Sequence, residues 1–147
     1  MKGIAPMQRD DDGETAETTE WERSLEYWRT MSAQEFGPVE IEEVETCVCS
    51  ISSTMKDWRE AVRGDAAAAI RLVLPQKPPE RITLKVDLAM TVLLCRALDN
   101  AAAALVLSHK LRSMPLDRSL RNRLVTSWRL RFLRIRFATG TPTARRA

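Results

Sequence analysis

The chain has little of the material from which catalytic sites are built. It holds 1 histidine in 147 residues and contains no H-E-x-x-H, G-x-S-x-G or glycine-rich phosphate loop. That histidine, His109, stands among polar residues where a helix end or simple exposure explains it better than catalysis does. The absences predict a protein that is not an enzyme, with no cofactor and no small-molecule substrate.

Cysteine is also scarce, and its spacing is uninformative for metal binding. The chain has 3 cysteines, Cys47, Cys49 and Cys95, and an odd number with a C-x-C pair fits neither a disulfide framework nor a zinc site. We expect three reduced core residues and no metal site. The N-terminal sequence lacks the apolar segment of a secretory signal, which favours a cytoplasmic location.

Glycine and proline are few, at 5 and 7 residues, so the chain has few places to turn. This composition predicts an all-α fold, a compact bundle of four or five helices. Its centre is the longest apolar run, residues 86–111, which we expect to lie in one buried helix from about residue 79 or 81 to residue 112. Arg96, Asp99 and Asn100 interrupt this run, and charges near the middle of a span disfavour a transmembrane helix.

Helix signals predict the other elements. A capping pattern at Thr19 and Glu22 predicts a first helix over about residues 20–33. Pro38 and the acids after it predict the start of a second helix, and Asp65 and Asp117 predict caps for helices over residues 66–74 and 118–138. One domain, residues 18–138, would then lie between a disordered acidic tail, 1–17, and a disordered basic tail, 139–147.

The second predicted helix, residues 38–62, has the clearest periodicity in the chain. Its apolar residues are spaced alternately by three and four. They are Ile41, Val44, Val48, Ile51, Met55, Trp58 and Val62. This stripe predicts either a core-facing side of a helical bundle, which we favour, or the seam of a coiled-coil dimer.

Charge is divided along the chain. Residues 1–60 carry 15 acidic and 6 basic residues, whereas residues 61–147 carry 5 acidic and 17 basic residues. The two parts either screen each other in the fold or leave a basic face for an anionic partner. Residues 109–146 are the most basic segment, and ten of its eleven bases are arginine, whose planar group binds phosphate or carboxylate in a bidentate manner.

Three hypotheses fit this basic segment. We favour a protein–protein interaction or regulatory module, in which helical faces bind a partner or a second copy. The alternative is nucleic-acid binding through a helix-turn-helix arrangement, with the start of the last helix facing base edges. A third hypothesis is association with an anionic membrane surface, which we consider the weakest of the three. The predicted binding residues are Arg118, Arg121, Asn122, Trp128, Arg129, Leu130, Leu133, Arg134, Arg136 and Phe137.

Overall fold

A computed structural model describes residues 23–146, with side chains described as far as Ala138, and all regular structure in this range is helical. An α-helical segment over residues 23–26 comes first, followed by two short 3-10 helices, η1 and η2, and six further α-helices. The elements are η1 (Tyr27–Arg29), η2 (Ala33–Glu35), α1 (Pro38–Cys49), α2 (Trp58–Val62), α3 (Ala66–Val73), α4 (Leu84–Ala97), α5 (Ala101–Leu111) and α6 (Arg118–Arg146). The predicted all-α class is confirmed.

The long apolar run forms the centre of the core, but as two helices and not one. α4 is buried along almost its whole length from Val86 to Ala97, and α5 packs against both α4 and α6. The chain breaks between them because Asn100 caps α5, its Oδ1 accepting a hydrogen bond of 2.9 Å from the Ala103 amide. α4 also begins later than predicted, at Leu84, since Thr83 caps it through the Val86 amide.

The predicted second helix is likewise divided, into α1 and α2, by residues 50–57. Ser50 Oγ donates to the Cys47 carbonyl and Ser53 Oγ accepts from the Met55 amide, so serine side chains compete with the helical ladder here. Asp57 then adopts a left-handed conformation with φ 73°. The stripe still faces inward: Val48 and Trp58 are buried. Its interpretation as a core face is therefore correct, although the helix is not continuous.

The N-terminal described residues form a strap across the bundle, defined here as residues 27–36. The predicted first helix ends earlier than expected: residues 23–26 are α-helical and Tyr27–Arg29 form η1, but the chain turns at Thr30. Asp87 of α4 holds the strap. Its Oδ1 accepts a hydrogen bond of 2.8 Å from Trp28 Nε1 and one of 3.1 Å from Arg29 Nε. The predicted start of that helix and the acidic tail 1–17 lie outside the described residues.

The cap predictions for α3 and α6 are confirmed. Asp65 Oδ1 accepts from the Ala68 amide at 3.2 Å, Asp117 Oδ2 accepts from the Leu120 amide at 3.2 Å, and Gly64 has a positive φ of 121°. α6 continues past its predicted end at Ala138 to Arg146. The side chains of residues 139–147 lie outside the described ones, so the predicted basic tail remains a prediction.

The cysteines divide between core and surface. Cys47 and Cys95 are buried as predicted, but Cys49 is exposed because it lies on the outer side of α1. Burial raises the pKa of the Cys95 thiol to about 12, which keeps it protonated. Within the described residues, none of the helices is both long enough and apolar enough to span a membrane.

Candidate interaction surface

α6 carries all of the predicted binding residues, and its inner side is part of the core. Leu124 and Trp128 are fully buried there, and the Trp128 ring lies 6.1 Å from that of Phe36, measured between ring centroids. Trp128 was predicted to lie among the arginines of a binding surface. The structure places it in the core instead, where it cannot contact a partner.

Two arginines of α6 are held by backbone carbonyls. Arg131 Nε and Nη2 donate to the Leu98 carbonyl at 3.1 and 2.8 Å, which satisfies an oxygen at the C-terminal end of α4. Arg121 Nη1 donates to the Met114 carbonyl at 3.3 Å, in the turn before α6. Arg121, a predicted nucleic-acid contact, therefore contributes to the fold, and Arg131 stabilises the break between α4 and α5.

One edge of the outer side of α6 is formed by polar residues at helical spacing. Arg118, Asn122, Arg129 and Arg136 are all exposed or half-exposed along this side, and at 100° per residue they fall within about 40° of one another on the helix. We call this row the arginine edge. The three guanidinium groups make no ion pair with any described carboxylate.

Beside the arginine edge, the outer side of α6 presents large apolar side chains. Leu130, Leu133 and Phe137 are 55%, 40% and 65% exposed, and we call them the outer apolar strip. Their spacing of three and four residues places them on one face. All three are among the predicted binding residues, and the strip lies away from the core-facing side of α6.

A groove lies on the far side of the strip, between η2 and α6. It has a volume of about 220 Å³, and we call it the η2–α6 groove. The residues that line it are Ala33, Gln34, Ser127, Leu130, Arg131 and Arg134. The Ala33 amide donates a hydrogen bond of 3.0 Å to Ser127 Oγ, so the strap forms one wall of the groove. Sequence reasoning missed this site because the two residues that join its walls are 94 positions apart.

Two acidic residues of α1 have partners other than the arginines of α6. Glu45 pairs with Arg96 of α4, and Glu43 accepts a hydrogen bond of 2.6 Å from the Tyr27 hydroxyl. Burial of the Tyr27 hydroxyl, and to a smaller extent the neighbouring Glu43 carboxylate, raises the pKa of Tyr27 to about 12. Among the described residues no ion pair joins α1 to α6, so the carboxylates of α1 do not neutralise the arginines of α6.

Other chemistry is sparse in the described part of the chain. No group of three histidine, cysteine, aspartate or glutamate side chains there is placed to hold a metal ion, and His109 is exposed near the end of α5. Comparison with protein families, curated proteins and solved structures found no match to this chain.

Proposed function

We propose that the protein is a non-catalytic interaction module that binds an acidic amphipathic helix of a partner protein along the outer side of α6. The observation that carries this proposal is the outer apolar strip, whose three side chains are exposed at the spacing of a helix–helix contact. Burying them against a partner removes apolar surface from water, which stabilises the complex.

The charges beside the outer apolar strip favour a different protein as the partner, and not a second copy of this chain. Arginines stand on both sides of the strip, with Arg129 and Arg136 on one side and Arg123 and Arg134 on the other. Two copies joined strip to strip would bring like charges together, which is unfavourable at a helix–helix interface. A helix with apolar residues on one face and glutamates beside them complements both features.

A synthetic peptide tests this proposal directly. The probe is a helical peptide with leucines at the a and d positions and glutamates at the flanking e and g positions, and its binding is measured by fluorescence anisotropy. A matched peptide with lysines at e and g is the charge control. We expect the acidic peptide to bind and the basic peptide to bind at least about tenfold more weakly.

Paired leucine variants show whether binding uses the strip. Changing both Leu130 and Leu133 to serine should weaken binding of the acidic peptide at least about tenfold, because both side chains lie at the centre of the proposed contact. The control changes Leu84 and Leu105 to serine, which are also exposed, at 55% and 43%, on α4 and α5. Equal losses in both variants, or no binding of either peptide, would contradict the proposal.

The oligomeric state provides a second readout. Sedimentation of the full chain should show a monomer, both in the wild type and in the double variant of Leu130 and Leu133. A dimer that the double variant converts to a monomer would show that the strip binds a second copy, and the acidic-helix proposal would then be wrong.

Nucleic-acid binding is the second candidate function, and the arginine edge is the observation that favours it. A row of exposed guanidinium groups along one helix suits contacts with backbone phosphates. The candidate is weaker than the first because Arg121 and Trp128 serve the fold, and because phosphate contacts leave the exposed apolar strip without a role.

A further inference from the structure

The η2–α6 groove combines an apolar wall with positive charge. Leu130 and Ala33 supply the apolar part, while Arg131, Arg134 and the side-chain amide of Gln34 supply hydrogen-bond donors. Arg131 is anchored by the Leu98 carbonyl, so its position is fixed. Such a groove combines shape, apolar contact and directed donors, as small binding sites do.

Of the two arginines that line the groove, Arg134 is the one whose guanidinium group is available to bind a ligand. It is exposed, lines the groove, and forms no ion pair with a described carboxylate. It follows Arg131 by three positions on the helix, so the two groups are neighbours on one side of α6. Two neighbouring positive charges without an acid between them favour an anion at that point.

The position of Leu130 indicates which anion fits. Leu130 belongs both to the groove and to the outer apolar strip, so a ligand in the groove is continuous with whatever covers the strip. A partner helix offers apolar side chains and a carboxylate together. A nucleic-acid backbone offers the anion but nothing that the leucine would bury.

We propose that the η2–α6 groove binds a glutamate or aspartate carboxylate of the partner helix, held by Arg134 and the Gln34 side-chain amide, while Leu130 packs against the partner's apolar face. This inference rests on the function proposed above. It adds a fixed anchor point, set by the strap and by Arg131, that determines how the partner lies along α6.

The first test compares two arginine variants that change the net charge equally. Arg134→Gln should weaken binding of the acidic peptide about tenfold, since it removes a charge-assisted hydrogen bond. Arg59→Gln, on the exposed side of α2, should change it less than about twofold. Equal effects of the two variants would overturn the groove proposal, because only general charge attraction would then be at work.

The second test places a carboxylate in the groove from the protein side. Gln34→Glu adds an acid at the rim, which should occupy Arg134 and weaken binding of the acidic peptide, whereas Gln34→Ala should weaken it less. Combining Gln34→Ala with Arg134→Gln should give a loss smaller than the sum of the two single losses, because both side chains hold the same carboxylate. Additive losses would overturn the proposal.

These outcomes separate the groove from the proposed function. If the acidic peptide binds and needs Leu130 and Leu133, but Arg134→Gln behaves like Arg59→Gln, the interaction module stands and the groove proposal falls. If neither peptide binds the wild type, the proposed function itself fails. If a DNA or RNA oligonucleotide binds and Arg134→Gln weakens that binding instead, the groove takes phosphate and the carboxylate proposal is overturned.

Discussion

Arg129 and Arg131 are two positions apart on α6 and have opposite roles. Arg131 donates two hydrogen bonds to a single carbonyl at the end of α4, whereas Arg129 is exposed on the arginine edge. The same residue type therefore closes a helix end in one case and presents a charge to solvent in the other. Only the first of these roles affects folding.

Alanine at the two positions should reveal this difference. Arg131→Ala should lower the free energy of unfolding by about 2 kcal/mol, because a charged donor is removed and the Leu98 carbonyl is left without its partner. Arg129→Ala should change it by less than about 0.5 kcal/mol, as is usual for exposed positions. Urea denaturation followed by circular dichroism measures both values. Similar losses in the two variants would mean that Arg131 does not hold the end of α4.

At the scale of the element, α1 offers two valines in contrasting environments. Val48 is fully buried against the core, and Val39 is 64% exposed near the start of the same helix. Because both positions lie in one regular helix, the same substitution at each compares a buried site with an exposed one.

Val48→Asp should destabilise the protein by more than about 3 kcal/mol, since it places an unpaired charge in the interior. Val39→Asp should remain within about 0.5 kcal/mol, and an acid near a helix N-terminus is even slightly favourable. Thermal unfolding of the two variants provides the comparison. A folded but altered oligomer for Val48→Asp would show that this side of α1 faces another chain.

Apolar periodicity predicts which residues are buried better than it predicts where helices end. Val48 and Trp58 lie inside as their spacing indicates, yet the chain between α1 and α2 leaves the helix because side chains such as Ser50 and Ser53 bind nearby backbone groups. Asn100 ends the central run for a similar reason, as its side chain caps α5. The apolar pattern alone does not indicate where a polar side chain will bind the backbone and interrupt a helix.

The candidate surface was predictable only in part. The apolar residues Leu130, Leu133 and Phe137 could be identified from their spacing, and they are exposed. Which arginines remain available could not, because the carbonyl that holds Arg131 lies 33 positions away in the sequence. The groove depends on a still longer contact, between η2 and α6. No pattern within one helix contains that information.

The whole molecule carries separated charge, and this makes salt a sensitive test of nucleic-acid binding. If about six phosphates are contacted, the logarithm of affinity should fall with the logarithm of salt concentration with a slope near about −5, roughly a thousandfold between about 50 and 200 mM. Deleting residues 1–16 should raise the affinity modestly, since it removes Asp10, Asp11, Asp12 and Glu14. Titrations with duplex DNA, single strands and RNA measure both effects.

Variants of the arginine edge complete that experiment. Arg129→Ala with Arg136→Ala should make the slope shallower by about two, roughly one for each phosphate that an arginine no longer neutralises. The absence of salt-sensitive binding near about 50 mM with all three nucleic acids would exclude this candidate function. The outer apolar strip would then remain the feature that calls for a binding partner.

The strap has a consequence for the order in which the molecule assembles. Most helices contact neighbours that are close along the chain, as α3 does with α4 and α5 with α6, so short loops close first and the helices can gather quickly. The strap instead closes loops of 59 residues at Asp87 and 94 residues at Ser127. The entropic cost of closing a loop rises with its length, so we expect the contacts of the strap to form late. Once one of the two contacts has formed, the second costs less entropy, so we expect both to form in one step. The η2–α6 groove would thus be completed at the end of folding.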